Sequence, residues 1–204
     1  MKIIGIGKNY VSDKADINAL KTGEQLIFLK AESTLVTHNK DILYPDITNE
    51  LAYEVELVIK IGKKGKDILL ENAASHMSEI AVGIDYTAKD IFNASRANKG
   101  PWALSKGFDG ASPISSFKPV SNFKDLNNIN FDLRINGEQK QAGNTSDMIY
   151  SFSEIIVFVS KYMTLEPDDL IFTGTPALGS GLNVKGDHLQ ASIEGELLLD
   201  FKIV

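Results

Sequence analysis

Apolar residues alternate with polar or small ones in six segments, and the alternation predicts strands: "KIIGIG" at 2–7, "QLIFLK" at 25–30, "YEVELVIKI" at 53–61, "NFDLRI" at 130–135, "DLIFTG" at 169–174 and the closing "ELLLDFKIV". Asn136-Gly137, directly after "FDLRI", suits a two-residue type I′ hairpin because both residues tolerate positive φ. Glu194-Gly195 predicts a second hairpin, joining "HLQASI" to the last strand. Helical periodicity is clearest in "SFSEIIVFVSKYM", which puts Phe152, Ile155, Ile156, Val159 and Met163 on one face, with Ser151 and Glu154 at capping-box spacing. Shorter helices are expected at 70–78 and at 87–97, the second opened by Thr87 with Asp90 three positions on. Strands dominate, so the expected class is α+β, predominantly β, with mixed or antiparallel sheets and few short helices.

At 204 residues, without an internal repeat or a low-complexity linker, the chain is expected to form a single domain over 1–204. The net charge of −6, with no dense run of Lys and Arg, argues against nucleic acid or an anionic membrane as partner. No stretch approaches the roughly 20 apolar residues of a membrane-spanning helix. The glycine-broken start "MKIIGIGKNY" lacks the apolar core and cleavage site of a signal peptide, so a cytoplasmic protein is expected. The absence of cysteine leaves any metal to oxygen ligands or to the three histidines.

That restriction directs attention to the carboxylates. Strand alternation puts Glu54 and Glu56 on one side and Tyr53, Val55, Leu57 and Ile59 on the other. Alone, the pair reads as the solvated face of a sheet. Asp85 changes the picture, because it sits between Ile84 and Tyr86 in apolar "AVGIDY", where an acid is costly unless it caps a helix, pairs or ligates. Three carboxylates offer a hard oxygen site suited to Mg²⁺, Mn²⁺ or Ca²⁺, with the remaining positions left to water and substrate. The glycines at 5, 7, 174, 179 and 181 fit neither a P-loop nor a dinucleotide fingerprint.

Seven blocks in order, "IGIGKNY", "FLK", "YPDITNELAYEVEL", "GIDYTAKD", "PWALSKGFDGASPI", "INGEQKQAGNTSDMIYS" and "LEPDDLIFTGTPALGSG", run through nearly the whole chain. In these the chain resembles the fumarylacetoacetate hydrolase family, particularly its small single-domain acylpyruvase and oxaloacetate decarboxylase branch. The resemblance implies a rolled, mixed β fold, a homodimer, and a divalent metal, Mg²⁺ first with Mn²⁺ or Ca²⁺ as alternatives, held by Glu54, Glu56 and Asp85. It implies a small 2-oxo acid substrate that chelates the metal, Lys106 as a catalytic charge beside it, and Thr173, Gly174 and Thr175 of "TGTP" gripping the substrate carboxylate. Gln141 matches a further polar contact with substrate.

The chain departs from the family pattern at the lid, expected over 8–24 and expected to be mobile. Family hydrolases carry a histidine three residues past the tyrosine of "G-x-N-Y" and a glutamate three beyond it, a dyad that activates water. Here "GKNYVSDKADINAL" puts Asp13 and Asp16 at those positions. An ordinary aspartate is some two to three pKa units less basic than histidine, so water activation is weakened unless lid closure desolvates the acid. Tyr53 and Lys89 also replace a common histidine and a common arginine of the family. His38, His76 and His188 fall in no family site block and read as structural or solvated. The expectation is a metal-dependent enzyme on a 2-oxo acid: a C–C hydrolase of the acylpyruvate type, or an oxaloacetate-type decarboxylase or tautomerase, with Asp13 and Asp16 as candidate proton carriers. The alternatives are an isomerase like that of 2-hydroxyhepta-2,4-diene-1,7-dioate, or a catalytically silent dimer binding metal and a dicarboxylate.

Overall fold

The computed structural model describes residues 1–204. Its first half contains β1 (Ile3–Gly7), α1 (Ile17–Leu20), β2 (Leu26–Lys30), β3 (Leu35–Val36), β4 (Leu51–Tyr53), β5 (Val55–Ile61), α2 (Leu70–Ala73), β6 (Met77–Ile84), β7 (Thr87–Ala88) and α3 (Lys89–Ala97). There follow α4 (Ala103–Lys106), β8 (Ser112–Pro113), β9 (Lys118–Pro119), β10 (Asn130–Ile135), β11 (Glu138–Asn144), α5 (Phe152–Tyr162), β12 (Leu170–Phe172), β13 (Gly181–Asn183), β14 (His188–Ile193) and β15 (Glu196–Lys202). The protein is predominantly β, as the alternating pattern requires.

A six-stranded sheet in the order β2-β1-β12-β5-β6-β9 forms the centre, mixed because β1 runs parallel to β12 while the other neighbours are antiparallel. A four-stranded antiparallel sheet, β11-β10-β14-β15, packs on one face of it, and a three-stranded sheet, β13-β4-β7, borders it. The main core joins Leu57, Ile59, Val82 and Ile84 of the central sheet to Phe131, Leu133, Leu189 and Phe201 of the four-stranded one, and to Ile155, Ile156 and Val159 of α5. The opposite face of the central sheet is apolar too, with Ile3, Val58, Ala81 and Phe172 in a smaller cluster. Since both faces of β5 are covered, its even-numbered side is not the wet face that an isolated E-x-E suggests.

Both hairpins form as expected. Asn136 (φ 53) and Gly137 (φ 85) connect β10 to β11, and Glu194 (φ 50) and Gly195 (φ 77) connect β14 to β15, each as a two-residue loop with positive φ at both positions. The capping box of α5 is present in full, Ser151 Oγ accepting from Glu154 N while the Glu154 carboxylate accepts from Ser151 N.

Four expectations need correction. The strand expected at 53–61 is broken at Glu54, where the chain leaves the three-stranded sheet and enters the central one. The helix expected at 70–78 stops as α2 and one 3₁₀ turn, because from Met77 the pairing of β6 with β5 takes over the backbone. Thr87 does not cap the next helix: it pairs with Ala52 in the small sheet and its hydroxyl donates to Glu54, so α3 starts at Lys89. The strand expected at 169–174 is confined to Leu170–Phe172, and the chain then turns into a loop.

Candidate metal centre

The sheet switch at Glu54 builds the site. Glu54 O accepts Asp85 N at 2.8 Å, which fixes the end of β6 against the switch. Glu56, two residues on, and Asp85 are 3% and 1% exposed, while Glu54 is half-buried. One carboxylate oxygen from each of the three lies within 4.8 Å of the others. Burial, followed by the negative charges of Asp85 and Glu54, pushes the Glu56 carboxyl well above the usual range. The cluster therefore lacks positive charge, and an all-oxygen donor set of this kind fits a hard divalent cation.

Two lysines supply part of that charge. Lys106, the last residue of α4, donates to Glu54 Oε2 at 2.6 Å and Asp85 Oδ2 at 2.5 Å. Burial would lower its pKa, but Asp85 and Glu54 outweigh burial and hold the ammonium above the usual lysine range. Lys30, at the end of β2, pairs with Asp85 Oδ1 and donates to Ala111 O at 2.7 Å. Its side chain is wholly buried, and burial holds its pKa below the usual value although Asp85 opposes the shift. For Asp85 burial acts upward, yet Lys106 and Lys30 together bring its carboxyl below the usual range.

Lys30 is a site residue that pattern reasoning did not assign. It closes an apolar strand, where a lysine reads as a solvated edge charge. In the structure the edge is inverted, with Leu26 and Leu29 exposed and Lys30 inside. Only its place within the family block "FLK" hinted otherwise.

The "TGTP" loop and Gln141 meet behind the carboxylates. The Thr173 hydroxyl donates to Leu57 O at 2.9 Å, and Gly174 N donates to Glu56 Oε2 at 2.8 Å. Gly174 has φ +101, and a Cβ there would lie 2.9 Å from Asn9 Cβ, so the loop reaches Glu56 through a position that favours glycine. Gln141 is buried at 2% exposure, its Oε1 accepting Val55 N at 2.9 Å and its Nε2 donating to Thr175 Oγ1 at 3.0 Å. Of these four residues, Thr175 alone borders the cavity in front of the carboxylates. That cavity holds about 210 Å³ and is also bordered by Lys8, Phe28, Lys89, Arg96, Trp102 and Lys106.

Asp13 and Asp16 do not border it. Both are exposed, Asp13 Oδ1 accepts Ala15 N at 2.9 Å, and the 3₁₀ turn it caps leads into α1. The histidines lie elsewhere: His76 Nδ1 contacts Lys63 O at 2.9 Å, and His188 pairs with Asp200 at 2.5 Å.

Comparison with known proteins gives a consistent picture. The profile of the fumarylacetoacetate (FAA) hydrolase C-terminal family matches residues 2–202. The chain is 35% identical over 201 residues to the mitochondrial oxaloacetate tautomerase of Bos taurus, spanning 98% of this chain and 90% of that protein. It is 38% identical over 195 residues to the mitochondrial oxaloacetate decarboxylase of Dictyostelium discoideum, spanning 95% and 89% of the two. Among solved structures, the fumarylpyruvate hydrolase of Pseudomonas aeruginosa in complex with Mn²⁺ and pyruvate superposes with a TM-score of 0.91 at 30% identity, covering all of this chain and 89% of that one.

Proposed function

Since the chain belongs to the fumarylacetoacetate hydrolase family, we propose that it is a divalent-metal-dependent enzyme that enolises a small 2-oxo acid, as a tautomerase or decarboxylase of the oxaloacetate type. The observation that carries this reading is the convergence of Glu54, Glu56 and Asp85 on a cavity that also contains Lys106. With all five groups charged, three carboxylates against two ammoniums leave one negative charge in excess, in line with the upward push on the Glu56 carboxyl. A divalent cation reverses that excess, and the carboxylate of a 2-oxo acid then balances it. Mg²⁺ is the ion we assign first; Mn²⁺, present in the Pseudomonas structure, and Ca²⁺ would suit the same carboxylate oxygens.

A divalent ion held by these carboxylates would supply Lewis acidity at the 2-oxo oxygen. The remaining work falls to the chain. Lys106, kept charged by its two carboxylate partners, presents a fixed positive charge toward enolate density as it develops. Lys30 holds the second oxygen of Asp85 and so fixes that ligand's orientation. Thr175 offers its hydroxyl to the substrate carboxylate, while Gln141, Thr173 and Gly174 brace the loop and the E-x-E strand behind it.

Enolisation needs no activated attacking water, which agrees with the exposed positions of Asp13 and Asp16 outside the cavity lining. The second reading, acylpyruvate hydrolysis, draws on residues 8–24 acting as a lid over one catalytic domain. In that reading closure carries Asp13 and Asp16 inward, at the expense of the Lys14–Asp147 and Lys21–Glu154 pairs that tie the segment to the body. We further propose a homodimer, supported by Leu29, an apolar residue exposed on the edge strand β2. A cytoplasmic location belongs to the same proposal; both curated relatives compared above are mitochondrial, and cell fractionation decides it.

The test is turnover of oxaloacetate, acetylpyruvate and fumarylpyruvate by purified protein with Mg²⁺ or Mn²⁺. Metal-dependent keto–enol exchange or decarboxylation of oxaloacetate, lost in Asp85→Asn, is expected. Dominant acylpyruvate hydrolysis that needs Asp13 would favour the second reading. Metal and ligand binding without turnover would make the protein a silent binder, and unchanged metal affinity in Asp85→Asn would refute the site.

A further inference from the structure

β1 ends at Gly7, Lys8 turns the chain through a left-handed conformation (φ 57), and the next residue, Asn9, is a polar side chain only 1% exposed to which the chemistry above gives no part. Its Nδ2 donates to Thr173 O at 2.9 Å and to Tyr150 O at 3.0 Å, and its Oδ1 accepts Tyr150 N at 2.9 Å. Its own carbonyl accepts Ile149 N at 2.8 Å. None of the three backbone groups met by the side chain has another hydrogen-bond partner. Two donors on one atom and an acceptor on another is the inventory of an amide side chain, and all three places are filled.

Thr173 O and Gly174 N belong to one peptide group. That group is planar and trans, so its C=O and its N–H point in opposite directions. Asn9 holds the C=O end, and the N–H end donates to Glu56 Oε2 at 2.8 Å. The peptide is thus a rigid bar between a buried amide and a carboxylate of the cluster. Glycine adopts φ on either side of zero, so a Thr173 carbonyl that nothing held would leave the plane free to rotate and take the N–H away from Glu56. Donation from Asn9 also polarises the group, which makes its N–H the stronger donor.

We propose that Asn9 is the positioning residue of Glu56: it fixes the plane of the Thr173–Gly174 peptide, and that plane sets the direction of the Glu56 carboxylate toward Glu54 and Asp85. This rests on the reading of those three carboxylates as a metal centre. Asn9 neither borders the cavity nor bonds to any of the three, so it acts through the peptide alone. A Cβ on Gly174 would lie 2.9 Å from Asn9 Cβ, which shows how closely the residue is packed against the bar it holds.

Asn9→Asp keeps the size and the acceptor but sets a carboxylate oxygen against two carbonyls in place of the donor. Calorimetric titration with Mn²⁺ is expected to show binding about 10-fold weaker than in the wild type. Ser160→Ala is the control: it removes another buried side-chain partner, that of Ile68 N at 3.0 Å, from α5, and should leave Mn²⁺ affinity unchanged. Unchanged affinity in Asn9→Asp, or an equal loss in Ser160→Ala, overturns the positioning role and leaves the metal centre standing. Absence of Mn²⁺ binding by the wild type overturns both. A measurement on the wild type alone covers the case in which Asn9→Asp does not fold. In a Mg²⁺ titration followed by NMR, the Asn9 side-chain amide and the Gly174 N–H should shift together with one apparent affinity, while the Asn136 amide, bonded to Asp187 at 2.8 Å, stays in place. An Asn9 amide signal that does not move with Gly174 overturns the proposal.

Discussion

Gln141 accepts the backbone N–H of Val55 at 2.9 Å, at the one residue that separates Glu54 from Glu56. The chain is changing sheets there, so that N–H meets a side chain instead of a strand partner. Gln141→Leu leaves the buried donor unsatisfied, a loss of about 2 kcal/mol or roughly 4–8 °C in a domain of this size. It should also weaken Mn²⁺ binding about 10-fold, the usual result of disturbing what orients a ligand. Thermal melts and metal titration of the variant check both outcomes.

Lys30→Met removes one of the two cations that compensate the buried carboxylates. Breaking a buried pair from one side costs about 3–5 kcal/mol, so the metal-free variant should melt far below the wild type. Mn²⁺ replaces the missing charge, and it should therefore raise the melting temperature of Lys30→Met. Melts with Mn²⁺ and with chelator measure the effect, and a variant indifferent to metal would contradict the charge argument.

Gly174 and Gly110 provide a controlled comparison. Both have positive φ, but a Cβ at Gly174 meets Asn9 while one at Gly110 meets nothing within 4 Å. Gly110→Ala should lose about 1 kcal/mol through backbone strain alone. Gly174→Ala should lose more, and should also weaken metal binding, because its N–H is the partner of Glu56. Equal metal affinity in the two variants would separate the loop from the centre.

Glu154 gives the fold a pH dependence remote from the metal. Burial pushes its carboxyl up, but Lys21 and the Ser151 N–H and hydroxyl outweigh burial and hold it below the usual range. A pKa depressed by folding stabilises the fold above the unfolded value and stops doing so as pH falls through the folded one. Glu154→Gln is expected to cost about 1 kcal/mol at neutral pH. The gap between the two proteins should close as pH falls below about 4.5, the ordinary glutamate value, in denaturant melts.

What the sequence made legible follows from the range of the forces involved. Asn136-Gly137, Glu194-Gly195 and the Ser151–Glu154 cap are local arrangements, and each forms as its own few residues dictate. Alternation correctly separated Glu54 and Glu56 from Val55, Leu57 and Ile59, which enter the main core. It did not reveal the break at Glu54 or the early end of α2, because both are set by strands distant in sequence. The clustering of Glu54, Glu56 and Asp85 is legible because an acid stands in an apolar strand and because the family blocks contain all three. Lys30 escaped for the opposite reason: a lysine at a strand end looks ordinary until the partner that buries it is known.

The candidate centre is assembled from pieces far apart along the chain: Lys30 and Asp85 are 55 residues apart, Val55 and Gln141 are 86, and Glu56 and Gly174 are 118. Loops of such length close late, after local hairpins and helices have formed. Tight metal capture would therefore be among the last events of folding. In a refolding experiment the rise of metal affinity would mark the moment when the sheets have docked, and partly folded chains with their secondary structure already in place would leave the ion in solution.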